Sequence, residues 1–211
     1  MLIDKDTQLY CSFAKEAGST GCAYHNAGFQ KLNINAIYKS FSVNNIRDAV
    51  MAMKTLDIRG AGITMPFKKE VLRHVYHPGS VYTIGAANTI VNENGILIAK
   101  NTDWLAIKDF FTECEWKGCV YILGNGGYAS AARFALDELR IKHKTITRRN
   151  WDEIPHLTDC TVFNCTPAEG INVQRSVKFI DCTVSTPTGK KLAELQAGYQ
   201  FKLYTGMDYP C

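Results

Sequence analysis

The stretch Cys119-Val120-Tyr121-Ile122-Leu123-Gly124-Asn125-Gly126-Gly127-Tyr128-Ala129 places an apolar run directly before a turn rich in glycine. The run predicts a buried strand over 119–123, and the residues after the turn predict a helix over 130–139. In the pattern G-x-G-x-x-G/A, the glycines allow a tight turn and a close approach by phosphate, and the last small residue lets helix and strand pack closely. A βαβ nucleotide-binding unit is therefore predicted. The alternative is a glycine turn that only reverses the chain.

Two arginines follow the next predicted strand, 143–147. A carboxylate at this point of a βαβ unit accepts the ribose hydroxyls of NAD, whereas a guanidinium binds the 2′-phosphate of NADP through paired donors. The residues here are Arg148 and Arg149, with no carboxylate before Asp152. The sequence therefore favours NADP as the cofactor, and the alternative is two solvated surface arginines.

The rest of the chain also alternates strands with helices. Strands are predicted over 7–13, 34–41, 60–64, 161–164 and 179–184. Helices are predicted around 46–53, over 103–115, and over about 189–204, the last with Leu192, Leu195, Tyr199 and Leu203 on one face. Asn94-Gly95 between two β-rich arms predicts a hairpin. This alternation implies parallel sheets and an α/β fold, in which the pattern restarts after Gly118 as a second domain.

The composition is that of an ordinary globular chain. Of 211 residues, 46% are hydrophobic and 21% charged, and the net charge is +4. Neither a block of like charges, nor a long apolar run, nor a signal-peptide pattern is present, so we expect a cytoplasmic protein that binds neither nucleic acid nor a membrane. The eight cysteines form no C-x-x-C and the five histidines have no zinc spacing. Reduced thiols and no metal are therefore expected.

One lysine and one carboxylate lie in short polar motifs. Lys68 is part of Gly62-Ile63-Thr64-Met65-Pro66-Phe67-Lys68-Lys69, and Asp103 ends Asn101-Thr102-Asp103. From residue type alone, Lys68 would be expected to be an exposed surface lysine, and Asp103 would be expected to cap the N-terminus of a helix. Their motifs are more informative than their types.

The order of the motifs resembles that of shikimate dehydrogenases, and most closely the shikimate dehydrogenase-like subgroup. The matching segments are Asp6-Thr7-Gln8-Leu9, His25-Asn26, Ile37-Tyr38-Lys39-Ser40-Phe41, Thr64-Met65-Pro66-Phe67-Lys68, Ala87-Asn88-Thr89-Ile90, Asn101-Thr102-Asp103 and Gly124-Asn125-Gly126-Gly127. The resemblance implies a substrate domain over 1–103 and a Rossmann-type NADP domain over 104–211. The last helix is expected to pack back on the first domain.

The resemblance also implies an activity and a set of site residues. It predicts an NADP-dependent alcohol dehydrogenase of the chorismate pathway, which interconverts shikimate and 3-dehydroshikimate or a close analogue. Lys68 and Asp103 would handle the hydroxyl proton. Substrate binding is assigned to Ser19, Thr64, Asn88, Asn101 and Gln196. The loop beside the nicotinamide would include Asn164 and Thr166.

Two departures from the family pattern keep other interpretations open. Gly21 occupies the place of a second serine that would bind the substrate carboxylate, and losing such a donor costs about 1.5 to 3 kcal/mol. The nucleotide domain is also short, since Arg149 and Val162 are only 13 positions apart. Apolar faces left exposed by this shortening would be covered in a homodimer. The alternatives are a non-catalytic member that binds nucleotide or a protein, and an unrelated Rossmann-type module.

Overall fold

The computed structural model describes residues 3–210. The chain divides into two units, Met1–Thr102 with Ala197–Cys211, and Asp103–Gln196. Both combine parallel strands with helices, so the predicted α/β class is confirmed. The second unit begins one residue before the expected boundary, and the residues from Ala197 onward belong to the first unit.

The helices and strands follow the predicted alternation, with additional helices in the first unit. In chain order they are β1 (Gln8–Ala14), α1 (Thr20–Lys31), β2 (Ala36–Ser42), α2 (Ile46–Thr55), β3 (Gly60–Ile63), α3 (Ser80–Ile84), β4 (Thr89–Glu93), β5 (Ile96–Lys100), α4 (Asp103–Glu113), β6 (Val120–Leu123), α5 (Gly127–Glu138), β7 (His143–Ile146), β8 (Thr161–Asn164), β9 (Lys178–Asp181) and α6 (Pro187–Thr205). Short 3-10 helices cover Glu70–Arg73 and Trp151–His156.

The sheet of the first unit has the strand order β2-β1-β3-β4-β5. β1 pairs in parallel with β2 and β3, whereas β4 pairs antiparallel with β3 and β5. The predicted hairpin is confirmed: Asn94 and Gly95 both have positive φ, 52° and 89°, as a two-residue turn between such strands requires.

Of two helices in the first unit, α2 was predicted from the sequence and α1 was not. The predicted face of α2 is confirmed, because Ile46, Ala49, Val50 and Met53 are all buried, and the Asn45 side chain caps the helix by accepting from Arg47 N. Helix α1 was not predicted. Its buried residues are His25, Gly28 and Phe29, which do not form an apolar stripe of the usual kind.

Side chains alternate between the two faces of the first sheet and so build two cores. Cys11, Phe13 and Ile63 pack with α2 on one face. Tyr10 and Tyr38 lie on the other face, in a cluster of mainly aromatic residues with Phe29, Phe201 and Tyr204. The C-terminal part of α6 therefore belongs to the core of the first unit.

Strand β3 carries glycine wherever it faces the aromatic cluster. A Cβ at Gly60 would lie 2.5 Å from Cε1 of Tyr204, and a Cβ at Gly62 would lie 2.7 Å from the hydroxyl of Tyr38. Real Cβ atoms do not approach other atoms so closely. The alternation of glycine with Ala61 and Ile63 therefore lets aromatic rings lie directly on the backbone of this strand.

The predicted apolar face of α6 is wrong at its C-terminal end. Leu203 is 38% exposed, whereas Ala197, Gln200, Phe201 and Tyr204 are buried. The aromatic rings of Phe201 and Tyr204 bury more area against the first sheet than a leucine would, and this sets the rotation of the helix.

The second unit is Rossmann-like, with four parallel strands in the order β7-β6-β8-β9. The strand predicted over 179–184 ends at Asp181. Beyond it, Thr183 N donates to the Asp181 carboxylate and the Thr186 hydroxyl donates to Thr183 O. These side-chain bonds turn the chain before α6, which begins at Pro187 rather than near Gly189.

His25 is a buried titratable group in the aromatic cluster. It is 1% exposed and stacks on Tyr38, with ring centroids 4.4 Å apart. Burial lowers the pKa of His25 from 6.5 to about 4, partly offset by a hydrogen bond with Gln200. The unfolded chain therefore binds more protons than the folded chain between these two pH values, and the free energy of unfolding falls as pH drops through this window.

We expect acidification from pH 6.5 to 4 to cost the wild-type protein roughly 3 kcal/mol through His25 alone. The measurement is urea denaturation across this range, compared with His25→Phe, which keeps a flat ring but has no titrating group. The exposed His156 offers the control, because His156→Phe should retain the wild-type pH dependence. Equal pH dependence in wild type and His25→Phe would contradict the assignment.

Candidate functional site

Three sequence motifs of the first unit meet where β3 ends and β4 begins. The Ala87 N–H donates to the carbonyl of Lys68 at 2.8 Å. The Asn88 amide donates to the Thr102 hydroxyl at 2.8 Å and accepts from the Thr102 N–H at 2.7 Å. The segments around Lys68, Asn88 and Asn101 are thus joined by short hydrogen bonds.

The polar residues of this junction are buried. Asn88 is 2%, Asn101 4% and Thr102 0% exposed. The Asn101 amide donates to Ala86 O at 2.9 Å, and Asn88 Oδ1 also accepts from the Thr89 hydroxyl at 2.9 Å. Buried amides need such partners, so both predicted substrate-binding asparagines also organise the chain around them.

Lys68 and Asp103 occupy different units and different local settings. Lys68 is half-buried and follows Phe67, whose buried ring anchors the segment in the core beside α2. Asp103 is 3% exposed and is the first residue of α4. The partial positive charge of a helix N-terminus stabilises a carboxylate at this position.

The remaining predicted substrate residues are placed as follows. Thr64 is exposed immediately after β3, and its N–H donates to Phe13 O at 3.1 Å. Ser19 is exposed at the N-cap of α1, and its side chain makes no capping hydrogen bond to the residues that the structure describes. The Gln196 amide donates to Ala193 O on its own helix at 3.0 Å.

Gln200, one turn after Gln196, contacts the buried junction and was missed from the sequence. Its amide donates to Asn88 O at 3.1 Å and to the Thr89 hydroxyl at 2.9 Å. It is 5% exposed. Gln200 therefore positions the start of β4, where Asn88 lies.

The glycine turn of the second unit has two glycines with different requirements. Gly124 has φ of 105°, and a Cβ there would lie 2.8 Å from Thr166 Cγ2. Gly126 is the N-cap of α5 with extended backbone, and within the described part of the chain no atom lies within 4 Å of a Cβ placed on it. Ala129 is fully buried. Gly124 is thus needed for the turn, and Gly126 leaves open space above the helix N-terminus.

Two cation-bearing segments lie near this turn. Gly124 N donates to Ile146 O at 2.8 Å, which joins the turn to the end of β7. Arg148 and Arg149 are exposed in the tight turn that follows, and Asn150 Oδ1 accepts from Thr147 N to hold that turn. A further cation was missed from the sequence: Arg133 on α5 donates to Ser130 Oγ at 2.9 Å and to Asn125 Oδ1 at 3.4 Å.

The loop after β8 is shaped by Asn164. Its side-chain oxygen accepts from the N–H and hydroxyl of Thr166 at 3.0 and 2.7 Å, and its amide donates to the Asp181 carboxylate at 3.2 Å. This arrangement holds the Thr166 methyl against Gly124. Tyr128, in the first turn of α5, has a phenol whose pKa is raised well above its usual value by burial.

These residues fit a dinucleotide with an added phosphate. A helix N-terminus with open backbone at Gly126 suits a pyrophosphate. The exposed guanidinium groups of Arg148 and Arg149 suit a 2′-phosphate.

Among residues 3–210 no group of three or more His, Cys, Asp or Glu side chains could hold a metal ion. Nor does that range contain a helix long and apolar enough to span a membrane.

Comparison with known proteins gives consistent matches. Residues 17–90 match the family described as shikimate dehydrogenase substrate binding domain. The chain is 36% identical over 153 residues to the shikimate dehydrogenase-like protein of Haemophilus influenzae, a match that covers 71% of this chain and 56% of that protein. It is 31% identical over 202 residues to the shikimate dehydrogenase (NADP(+)) of Saccharolobus solfataricus, covering 91% of this chain and 72% of the relative.

A solved structure supports the same likeness. The structure of a shikimate 5-dehydrogenase-like protein is 26% identical to this chain, with a TM-score of 0.81, and the alignment covers 100% of this chain and 95% of the other. In sequence, the chain spans about half the length of several curated relatives that it matches.

Replacing the two glycines by alanine is predicted to have unequal effects on the free energy of unfolding. Gly124→Ala should lower the free energy of unfolding by about 1–3 kcal/mol, because a side chain is strained at its φ and meets Thr166. Gly126→Ala, with ordinary backbone angles and open space, should change it by less than about 0.5 kcal/mol. Urea denaturation of both variants measures the difference. Equal destabilisation would show that the turn is not built as described.

Proposed function

The chain belongs to the shikimate dehydrogenase family, and on that premise we propose that it is an NADP-dependent oxidoreductase that interconverts shikimate and 3-dehydroshikimate or a close ring-carboxylate analogue. The observation that carries the proposal is the buried junction in which Asn88, bonded to Thr102, joins the Lys68 segment to the chain that leads into Asp103. The family match over residues 17–90 covers Lys68 and Asn88.

In this proposal the second unit holds the cofactor. The pyrophosphate would be bound by the glycine turn, which consists of Gly124, Asn125, Gly126, Gly127, Tyr128 and Ala129. The 2′-phosphate would be bound by Arg148 and Arg149. The nicotinamide would be flanked by the Asn164–Thr166 loop. When bound, NADP supplies hydride transfer. The open space at Gly126 and the exposure of both arginines support this assignment.

Lys68 and Asp103 handle the proton in the proposed reaction. As the substrate alcohol is oxidised, its hydroxyl proton passes to Lys68 Nζ, and in the reverse direction Lys68 returns the proton to the oxygen. Asp103 orients the lysine and stabilises its protonated form. In this proposal the two side chains act as one unit, because Asp103 would hold the ammonium where it can exchange a proton with the substrate oxygen.

In this proposal the first unit provides most of the substrate site, and Gln196 is the last residue of the second unit. Thr64, Asn88 and Asn101 would contact the ring hydroxyls, Ser19 the carboxylate, and Gln196 the far side of the ring. Gln200 acts as a positioning residue through Asn88. A homodimer also remains a proposal, supported by the exposure of Phe179 on the edge strand β9 and of Val184 beyond it, which are 36% and 65% exposed.

The catalytic assignment predicts that Lys68→Ala lowers kcat by about 10²–10⁴-fold, because a general acid–base group is lost. Asp103→Asn should also lower kcat. The assay follows NADPH absorbance with shikimate and, separately, with quinate. Lys69→Ala, which removes the adjacent exposed lysine, is the matched control and should keep wild-type turnover. Turnover of Lys68→Ala equal to wild type would overturn the mechanism. No turnover by the wild type, with NADP still bound, would support the non-catalytic alternative.

The cofactor assignment predicts selective loss of NADP affinity. Arg148→Ala and Arg149→Ala should each weaken NADP binding by about tenfold or more while leaving NAD binding nearly unchanged, because only NADP has the 2′-phosphate. Calorimetric titration with both dinucleotides provides the comparison. The exposed Lys142, before β7, gives the control variant Lys142→Ala, for which no selective change is expected. Equal loss of NAD and NADP affinity would refute the assignment.

A further inference from the structure

Two cysteines lie side by side at the carboxyl edge of the second sheet. Cys165 and Cys182 directly follow β8 and β9, whose last residues, Asn164 and Asp181, are in register. The Cys182 N–H donates to Asn164 O at 3.1 Å, so the pairing continues to the cysteines. Paired strands lie about 4.8 Å apart, and disulfide-bonded residues have Cα atoms about 4.4–6.8 Å apart. The backbone therefore places the two residues at disulfide distance.

The side chains of the pair interact with each other and with the glycine turn. Cys182 is hydrogen-bonded to Cys165 and to the phenol of Tyr128, in the first turn of α5. Burial and the contact with Cys165 raise the pKa of Cys182 well above its usual value, so Cys182 keeps its proton. Because Cys182 keeps its proton, we assign the first nucleophilic attack to Cys165 and the second to Cys182. Both residues are partly exposed.

We propose that Cys165 and Cys182 are a redox dithiol that hydrogen peroxide converts to a disulfide, and that the disulfide weakens dinucleotide binding at the glycine turn. The Cys165 thiolate attacks one peroxide oxygen, forming a sulfenic acid and releasing hydroxide, which takes up a proton to give water. The Cys182 sulfur then attacks the sulfenic sulfur, forms the S–S bond, loses its proton and releases a second water. Two thiols and one peroxide thus give one disulfide and two waters.

The effect on binding follows from what Cys165 adjoins, and it rests on the proposed cofactor function. Thr166 Cγ2 already lies 2.8 Å from the position of a Cβ on Gly124, so a shift of this loop acts directly on the glycine turn. Formation of the disulfide also removes the thiol that Tyr128 contacts. Both changes occur where the pyrophosphate and the nicotinamide would lie.

The same sheet contains a matched pair for comparison. Cys119 and Cys160 precede the paired residues Val120 and Thr161 of β6 and β8, and Thr161 N donates to Cys119 O at 3.1 Å. This second pair lies at the amino ends of the strands, at the edge opposite the glycine turn. The strands at this second pair have the same kind of register, but a disulfide there would not lie beside the proposed cofactor site.

The test uses the full-length protein, reduced and then treated with hydrogen peroxide. Alkylation followed by peptide mass mapping identifies the disulfide, and calorimetry measures NADP binding before and after oxidation. We expect a Cys165–Cys182 disulfide that a thiol reductant reverses, and at least about tenfold weaker NADP binding by the oxidised protein. The oxidation-dependent loss of affinity should be absent in Cys165→Ser and Cys182→Ser and should persist in Cys119→Ser.

The outcomes separate this proposal from the proposed function. If both thiols stay reduced, or if only Cys119 and Cys160 become linked, the dithiol proposal is wrong. A Cys165–Cys182 disulfide without any change in NADP affinity overturns the control of binding. If the reduced wild type binds no NADP, the proposed cofactor function and the control of binding both fail, while mass mapping still decides whether the two cysteines form the disulfide.

Discussion

The hydrogen bonds between the Asn88 amide and Thr102 hold the candidate site of the first unit together. Both residues are buried, so breaking this pair would leave polar groups without partners at a cost of about 1–3 kcal/mol each. The carbonyl of Asn88 also accepts from Ile63 N and from Gln200. One residue thus ties β3, the segment before α4 and helix α6 to the start of β4, and the geometry around Lys68 depends on it.

The same close packing extends to Gly21, where the chain departs from the family pattern. A Cβ on Gly21 would lie 3.2 Å from Tyr38 Cε1, and the hydroxyl of Tyr38 already fills the space above Gly62. A serine at position 21 would therefore press on a ring that is held between β3 and His25. A second serine here would require Tyr38 to shift by a few tenths of an ångström, and with glycine in its place the proposed substrate carboxylate would depend on fewer hydroxyl donors. A proposed preference for a shikimate analogue is consistent with this arrangement.

Local sequence signals predicted those elements whose structure is decided locally. The hairpin at Asn94-Gly95, the apolar face of α2 and the glycine turn each depend on residues within a short window, and each is present. Helix α1 was missed because its burial depends on aromatic partners from β2 and α6 rather than on an apolar stripe. Gln200 was missed for the same reason: a glutamine is buried there only because Asn88 and Thr89 accept its hydrogen bonds. The exposure of Leu203 likewise follows from the tertiary packing of Phe201 and Tyr204.

The small size of the second sheet is compatible with a complete nucleotide edge. The glycine turn follows β6, the arginines follow β7 and the Asn164 loop follows β8, and the strand order β7-β6-β8-β9 makes these three strand ends contiguous. Strand β9 adds Asp181, which accepts from Asn164 and so supports the shape of the loop. Further strands beyond β9 would extend the sheet away from the glycine turn. A unit with a four-stranded sheet can therefore keep a dinucleotide-binding edge, because that edge depends on adjacent strand ends and not on the width of the sheet.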